Sequence, residues 1–207
     1  SLTLRVSMPS AGSPNLLSPT LERLAARVGG LAPADAREAD SQARILALIR
    51  SKQDPFSRHD YVPGHLTASA VVVDPSRTRA VLIFHSKLEL WLQPGGHFEP
   101  GETDPLAAAS REALEETGLL VSSAQSEPLF DLDVHTIPAR AAKGGSPAQP
   151  AHDHFDLRFL LVASSDDAIV WDGVSAVRWV SADATQDLAL DPGLRRALTK
   201  ALGSPLA

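Results

Sequence analysis

Arg111 is followed by three glutamates, Glu112, Glu115 and Glu116, and preceded at short range by Gly95 and Gly96. Glu99 and Glu102 lie between the two groups. On a helix, side chains step round by about 100° per residue, so Glu112, Glu115 and Glu116 share an arc of about 100°. Like charges at such spacings repel by about 0.2–0.5 kcal/mol per pair. A divalent cation removes that repulsion. Mg²⁺ takes oxygen ligands and binds through a few carboxylates, waters and substrate phosphates. An acidic helical face with an arginine is, alone, a solvated surface, and Gly-Gly alone is an ordinary turn. Joined at these spacings, they point to metal-assisted attack on a phosphate.

The element that must carry the glutamates is a helix over 105–117. Asp104 before Pro105 is a capping side chain followed by proline at the first helical position. Gly118 supplies the stop. Leu106, Ser110, Ala113, Leu114 and Thr117 fall opposite the glutamates and are expected to pack on a core. Ala108 and Ala109 lie on or beside the acidic side and leave space there. Arg111 sits one turn before Glu115, where it can fix that carboxylate. Gly95, Gly96 and Gly101 let a ligand approach the backbone.

Gly96, Glu102, Arg111, Glu112, Glu115, Glu116, Gly118 and Leu119 together resemble the signature of the Nudix hydrolases. That signature reads Gly, five residues, Glu, seven residues, Arg-Glu, an aliphatic, any residue, Glu-Glu, any residue, Gly and an aliphatic. Two departures are visible: eight residues separate Glu102 from Arg111, and the aliphatic position holds Ala113. The extra residue falls in the 103–104 turn, because Pro105 onward keeps helical register with Arg111. The placement of Glu102 is what the insertion puts in question.

The resemblance implies an α/β/α sandwich around a mixed sheet. It implies hydrolysis of a nucleoside diphosphate linked to another moiety, with Mg²⁺ or Mn²⁺. By position, Glu112, Glu115, Glu116 and the Gly96 carbonyl would hold metal. Glu112, Glu115, Arg111 and Glu102 would form the catalytic set, with Arg111 orienting a glutamate. The partner implied is a small-molecule diphosphate, and homodimers are common in the family. A rival reading is a non-catalytic nucleotide-binding or regulatory module on the same fold. An isomerase of this type would need a catalytic cysteine, and the chain has none.

A second polar constellation follows the helix. Asp131, Asp133 and His135 share one face of a strand, and His152, His154, Asp156 and Arg158 share a face of the next, since side chains two apart lie on one side. Residues 138–151 read as an excursion between antiparallel partners. If the strands pair, their polar faces meet; otherwise they point to water. Histidine is a frequent metal ligand and proton donor, and arginine suits phosphate. His97, beside Gly96, is placed to reach a phosphate. His97, His135, His154 and Arg158 are therefore the candidate substrate-binding residues. The Gln93–His97 opening and the His152–Asp156 run also resemble one bacterial branch of the family, which names no substrate. His85 reads as a satisfied structural group, Trp91 and Trp179 as core, and Phe98 as more open to stacking. His59 and His65 carry no reading.

The rest of the 207-residue chain bounds these readings. A hydrophobic content of 43% supports a real core, and the lack of cysteine excludes disulfides and thiolate metal sites. A formal charge of −6 argues against general nucleic-acid binding. No apolar run reaches membrane-spanning length and no signal-peptide pattern opens the chain, so a cytoplasmic location is expected. Residues 1–17 read as a flexible arm, 18–55 as a helical hairpin (helices at 20–30 and 34–51), and 56–205 as the hydrolase domain. Strands are expected at 65–74, 79–86, 90–93, 128–137, 153–163 and 175–180, with a final helix at 192–202.

Overall fold

The computed structural model describes residues 17–86, 89–123, 129–142, 147–168 and 175–203. Apart from Leu17, the expected N-terminal arm lies outside them. Helices α1 (Pro19–Gly30) and α2 (Ala36–Ser51) come first. Each begins at a capping side chain: Ser18 Oγ accepts from Leu21 N at 3.3 Å, and Asp35 Oδ1 from Glu38 N at 2.7 Å.

Four strands then follow: β1 (Gly64–Val73), β2 (Arg79–His85), β3 (Leu90–Leu92) and β4 (Gly95–His97). The central helix, α3, spans Pro105–Thr117, as the cap and stop residues predict. After it come β5 (Val121–Ser123), β6 (Leu129–Ile137), β7 (His152–Ala163), β8 (Ala176–Ser181), a 3-10 turn at Asp183–Thr185, and α4 (Pro192–Leu202). The three-residue strands β4 and β5 are too short to give a periodic signal.

The strands form one mixed sheet. Its spine is the parallel pair β1–β7, in register from Gly64 opposite Asp153 to Val73 opposite Val162. Strand β2 joins one end of β1 and β4 the middle, both antiparallel. On the far side, β6 runs antiparallel to β7. Alternation along β1 then separates two layers. Leu66, Ala68, Ala70 and Val72 face a core shared with α1, α2 and α3, while Val71 and Val73 pack with Leu194, Ala197 and Leu198 of α4. The result is an α/β/α sandwich. Leu21, Leu24 and Val28 of α1 and Ile45, Leu48 and Ile49 of α2 lie in the same apolar cluster as Leu132 and Phe159, so the two N-terminal helices form part of that layer.

The polar faces of β6 and β7 do meet, with Asp131 opposite Arg158, Asp133 opposite Asp156 and His135 opposite His154. They point inward rather than to water. Arg158 is almost fully buried, and its guanidinium contacts Asp131 at 3.2 Å, Asp133 at 3.3 Å and Asp156 at 3.0 Å. Arg196 and Lys200 of α4 reach Asp131 at 2.9 and 3.2 Å, and Lys200 also meets Glu38 of α2 at 2.9 Å. Glu38 and Ser41 accept the edge amides of Leu132 and Val134. Burial works against ionising Asp131 and Asp133, but the arginines and His135 more than offset it and hold both below the usual carboxylate range. That stabilisation is present above the ordinary carboxylate pKa and is lost as pH falls below it.

Arg158 was expected to bind substrate. Its nitrogens are already committed to three carboxylates, so its position is that of a buried structural cation. Removing one member of such a network leaves uncompensated charge and costs about 3–5 kcal/mol. Arg158→Leu should therefore lower the unfolding free energy in denaturant titration by about that amount.

Candidate active site

Helix α3 lies over β1 and β4 with a buried face of Pro105, Ala108, Ala109, Ala113 and Thr117. This corrects the wheel drawn from hydrophobicity. Leu114 is 43% exposed, while Ala108 and Ala109 are wholly buried in the core. The small residues let the helix come close to the sheet, which rotates Glu112 and Glu116 towards β4 rather than away from it.

Strand β4 receives them because it has no side chain there. A Cβ on Gly96 would stand 2.7 Å from Glu112 Oε1. The Gly95 amide donates to Glu116 Oε2 at 3.0 Å. Here glycine is required by the approach of the two carboxylates. At the far end of the helix, Gly118 takes the left-handed conformation, φ 69°, and donates to Leu114 O at 2.8 Å.

Arg111 organises the remaining acids. It donates to Glu102 Oε2 at 3.0 Å, Glu112 Oε1 at 2.8 Å, Glu115 Oε2 at 3.1 Å and the carbonyl of His97 at 3.0 Å. The expected contact with Glu115 is thus one of four. Glu102, whose placement the insertion put in question, is tied to the helix by this bond, and it also accepts from Glu99 N at 3.0 Å. Burial opposes its ionisation, but Arg111 and the Glu99 amide hold its pKa below the ordinary value. Glu115 stays 57% exposed at its side chain.

The inner pair behaves differently. Burial, and then the neighbouring carboxylates, push Glu116 up to about 7 despite the Gly95 bond. Glu112 is likewise raised, by burial above all, although Arg111 pulls the other way. The site therefore holds two half-buried carboxylates, Glu112 paired with Arg111 and Glu116 bonded to the Gly95 amide. Beside it, a cleft of about 500 Å³ opens between the start of α1 and the Phe98–Thr103 loop, with Ser18, Thr20, Arg58 and Glu102 on its walls.

The histidines assemble elsewhere. Gly96 pairs with Ala68, which faces α3, whereas His97 pairs with Thr67, which faces the other way and bonds Asp156. His97 therefore points away from the glutamates, to the opposite side of β4. Its ring meets His154, Nε2 to Nε2 at 3.3 Å, among His65, His135 and His152. Burial first, then neighbouring charged groups, lowers His65, takes His97 to about 4 and takes His154 to about 2, so these rings are neutral at pH 7. The geometry brings Gly96, Glu102, Arg111, Glu112, Glu115 and Glu116 together; His97, His135 and His154 form a second group.

Three side chains differ from their sequence-based readings. His65 carried none and lies at the centre of this cluster. His85 has a buried Nδ1 without a hydrogen-bond partner, so it is not a satisfied group. Phe98, expected to be open for stacking, is buried edge-on against Phe56 at 4.9 Å.

A glutamate-bearing helix thus stands above a glycine strand on an α/β/α sandwich. The model of the NUDIX domain matches residues 63–201, and the chain belongs to the Nudix family. It is a hydrolase acting on phosphorus-containing acid anhydrides.

Among solved structures, a Nudix-family hydrolase from Clostridium perfringens is 24% identical, with 70% of this chain and 95% of that one covered and a TM-score of 0.47. The dihydroneopterin triphosphate pyrophosphohydrolase of E. coli is 19% identical over 65% and 92% of the chains, TM-score 0.48. The NUDIX domain of Shewanella oneidensis NrtR, complexed with ADP-ribose, is 18% identical over 66% and 84%, TM-score 0.46. Among curated proteins, none matches the chain. Among the described residues, no helix is long and apolar enough to cross a membrane.

The raised Glu116 carboxyl gives a signed prediction for the metal-free protein. The folded state holds this proton more tightly than the unfolded chain, so the group's contribution is present below pH 4.5 and is lost as pH rises through about 7. In chelator, Glu116→Gln should exceed the parent in stability by roughly 1–3 kcal/mol at pH 8. The gap should close by pH 4.5, as followed by denaturant titration at both pH values.

Proposed function

We propose that the chain is a metal-dependent pyrophosphohydrolase that cleaves the diphosphate linkage of a nucleoside diphosphate derivative, using Mg²⁺ or Mn²⁺. The observation that carries this reading is the convergence of Glu112 and Glu116 on the side-chain-free strand Gly95–Gly96. The family resemblance implies a divalent ion, and the donor set fits one: hard carboxylate oxygens, several of them sharing the cation Arg111. Glu112, Glu115, Glu116 and the Gly96 carbonyl would hold it. When bound, such a cation offsets phosphate charge and lowers the pKa of water.

The chain's own residues do the positioning. Arg111 fixes Glu102, Glu112 and Glu115 in one arrangement, so little reorganisation is needed when substrate arrives. The Gly95 amide holds Glu116 Oε2 and leaves Oε1 free. A glutamate of this set, Glu112 or Glu115, takes a proton from the attacking water. The cleft beside Glu102 is the space for the group carried on the diphosphate, with Arg58 on its wall as a cation for that group's negative charge. Helix α1 forms the opposite wall, giving the N-terminal helices a part in substrate choice. A homodimer and a cytoplasmic location belong to the same proposal.

The test is a panel of nucleoside triphosphates, sugar nucleotides, dinucleotides and non-nucleotide diphosphates with Mg²⁺ and Mn²⁺, products read by mass. Glu112→Gln and Glu116→Gln should each lower turnover roughly 100-fold or more while circular dichroism stays unchanged. Full activity in both variants would remove the glutamates from the reaction.

A further inference from the structure

The five clustered histidines take no part in the chemistry proposed above. His65, His97 and His154 each offer a ring nitrogen, and these atoms lie within 4.8 Å of one another. They come from three strands: parallel register sets His65 beside His154, and antiparallel pairing sets His97 beside Thr67. The His97–His154 Nε2 separation is 3.3 Å. Two nitrogens bound to one tetrahedral Zn²⁺ at about 2.0–2.1 Å stand about 3.3–3.4 Å apart.

Two of the clustered rings have their tautomers fixed from behind. His65 Nδ1 lies 2.9 Å from the carbonyl of Asp60, and His152 Nδ1 lies 2.9 Å from that of Pro150. A carbonyl accepts only, so each Nδ1 carries the proton and each Nε2 presents a lone pair. Both Nε2 atoms are buried without a hydrogen-bond partner. A backbone carbonyl behind one ring nitrogen and a free lone pair on the other is the arrangement of metal-ligating histidine.

We infer that His65, His97 and His154 bind one first-row transition-metal ion of the Zn²⁺ class, separate from the carboxylate centre. His152, whose ring centroid lies 5.1 Å from that of His65 and 5.2 Å from that of His154, is the neighbour offered to complete its coordination. Imidazole nitrogen suits such an ion, while Mg²⁺ prefers oxygen. The bound ion cross-links β1, β4 and β7, and so clamps the strand whose Gly95–Gly96 segment receives the glutamates. This inference does not depend on the hydrolytic reading.

The experiment uses untagged full-length protein stripped with chelator, then equilibrated with Zn²⁺ or Co²⁺ alone and desalted. Elemental analysis should find about one ion per chain, and Co²⁺ should give the visible bands of a four-coordinate site. His65→Gln and His154→Ala should each weaken uptake by about 100-fold or more. The double variant Glu112→Gln/Glu116→Gln should keep both the ion and the Co²⁺ spectrum. If a histidine variant fails to fold, the Co²⁺ spectra of the parent and of the glutamate double variant decide the matter. Absence of four-coordinate bands in the parent, their loss in the glutamate double variant, or unchanged uptake in folded His154→Ala would each overturn the assignment.

Discussion

The parallel pairing of β1 with β7 is the constraint on which the rest of this structure depends. It joins two segments far apart in sequence, and its register runs unbroken from Gly64 and Asp153 to Val73 and Val162. Every group of chemical interest is placed by it. β4 adds to β1 and carries Gly95 and Gly96 beneath α3. β6 adds to β7 and brings its aspartates over Arg158. A slip of one residue would turn Thr67 and Ser69 away from Asp156 and into the apolar layer beneath α3. Thr67 and Ser69 bond the two Asp156 oxygens at 3.0 and 2.7 Å, so the register is held by polar contacts as well as by the core.

The buried charges on the α4 side follow from that register. Burying an arginine and three aspartates carries a desolvation cost that Coulomb attraction repays only with good geometry and satisfied hydrogen bonds. Here the carboxylates are shared among Arg158, Arg196, Lys200 and Arg37, drawn from β7, α4 and α2. These contacts tie α4 to Asp131 and α2 to the edge amides of β6.

The sequence made some of this legible and not the rest. Helix α3 was readable to the residue because Asp104, Pro105 and Gly118 are local signals, each acting through its own backbone. The long strands were readable to within a residue or two, since alternation is local as well. The buried face of α3 was not. Leucine at 106 and 114 suggested one side, but the close approach to Gly95–Gly96 selects alanine instead. Phe98 was misjudged because its partner, Phe56, is distant in sequence. His65 looked uninformative because its meaning lies in its neighbours on β4 and β7. Alternation states which residues share a face of one strand; it does not state which strand lies alongside.

Strand β4 shows how few residues can serve two environments. In three positions it offers a glycine face to the carboxylates of α3 and, by the alternation of the pleat, an imidazole to the other side. The His97 carbonyl is held by Arg111, while the His97 ring is held by His154. A displacement of this strand would thus disturb the arginine that organises the glutamates and the histidine cluster together. Neither group of side chains touches the other, yet both are set by the same short stretch of backbone. The rigidity of the glutamate site therefore depends on what fixes β4 from behind. The antiparallel pairing to β1 supplies part of that, and the place of the His97 ring between those of His65 and His154 supplies another.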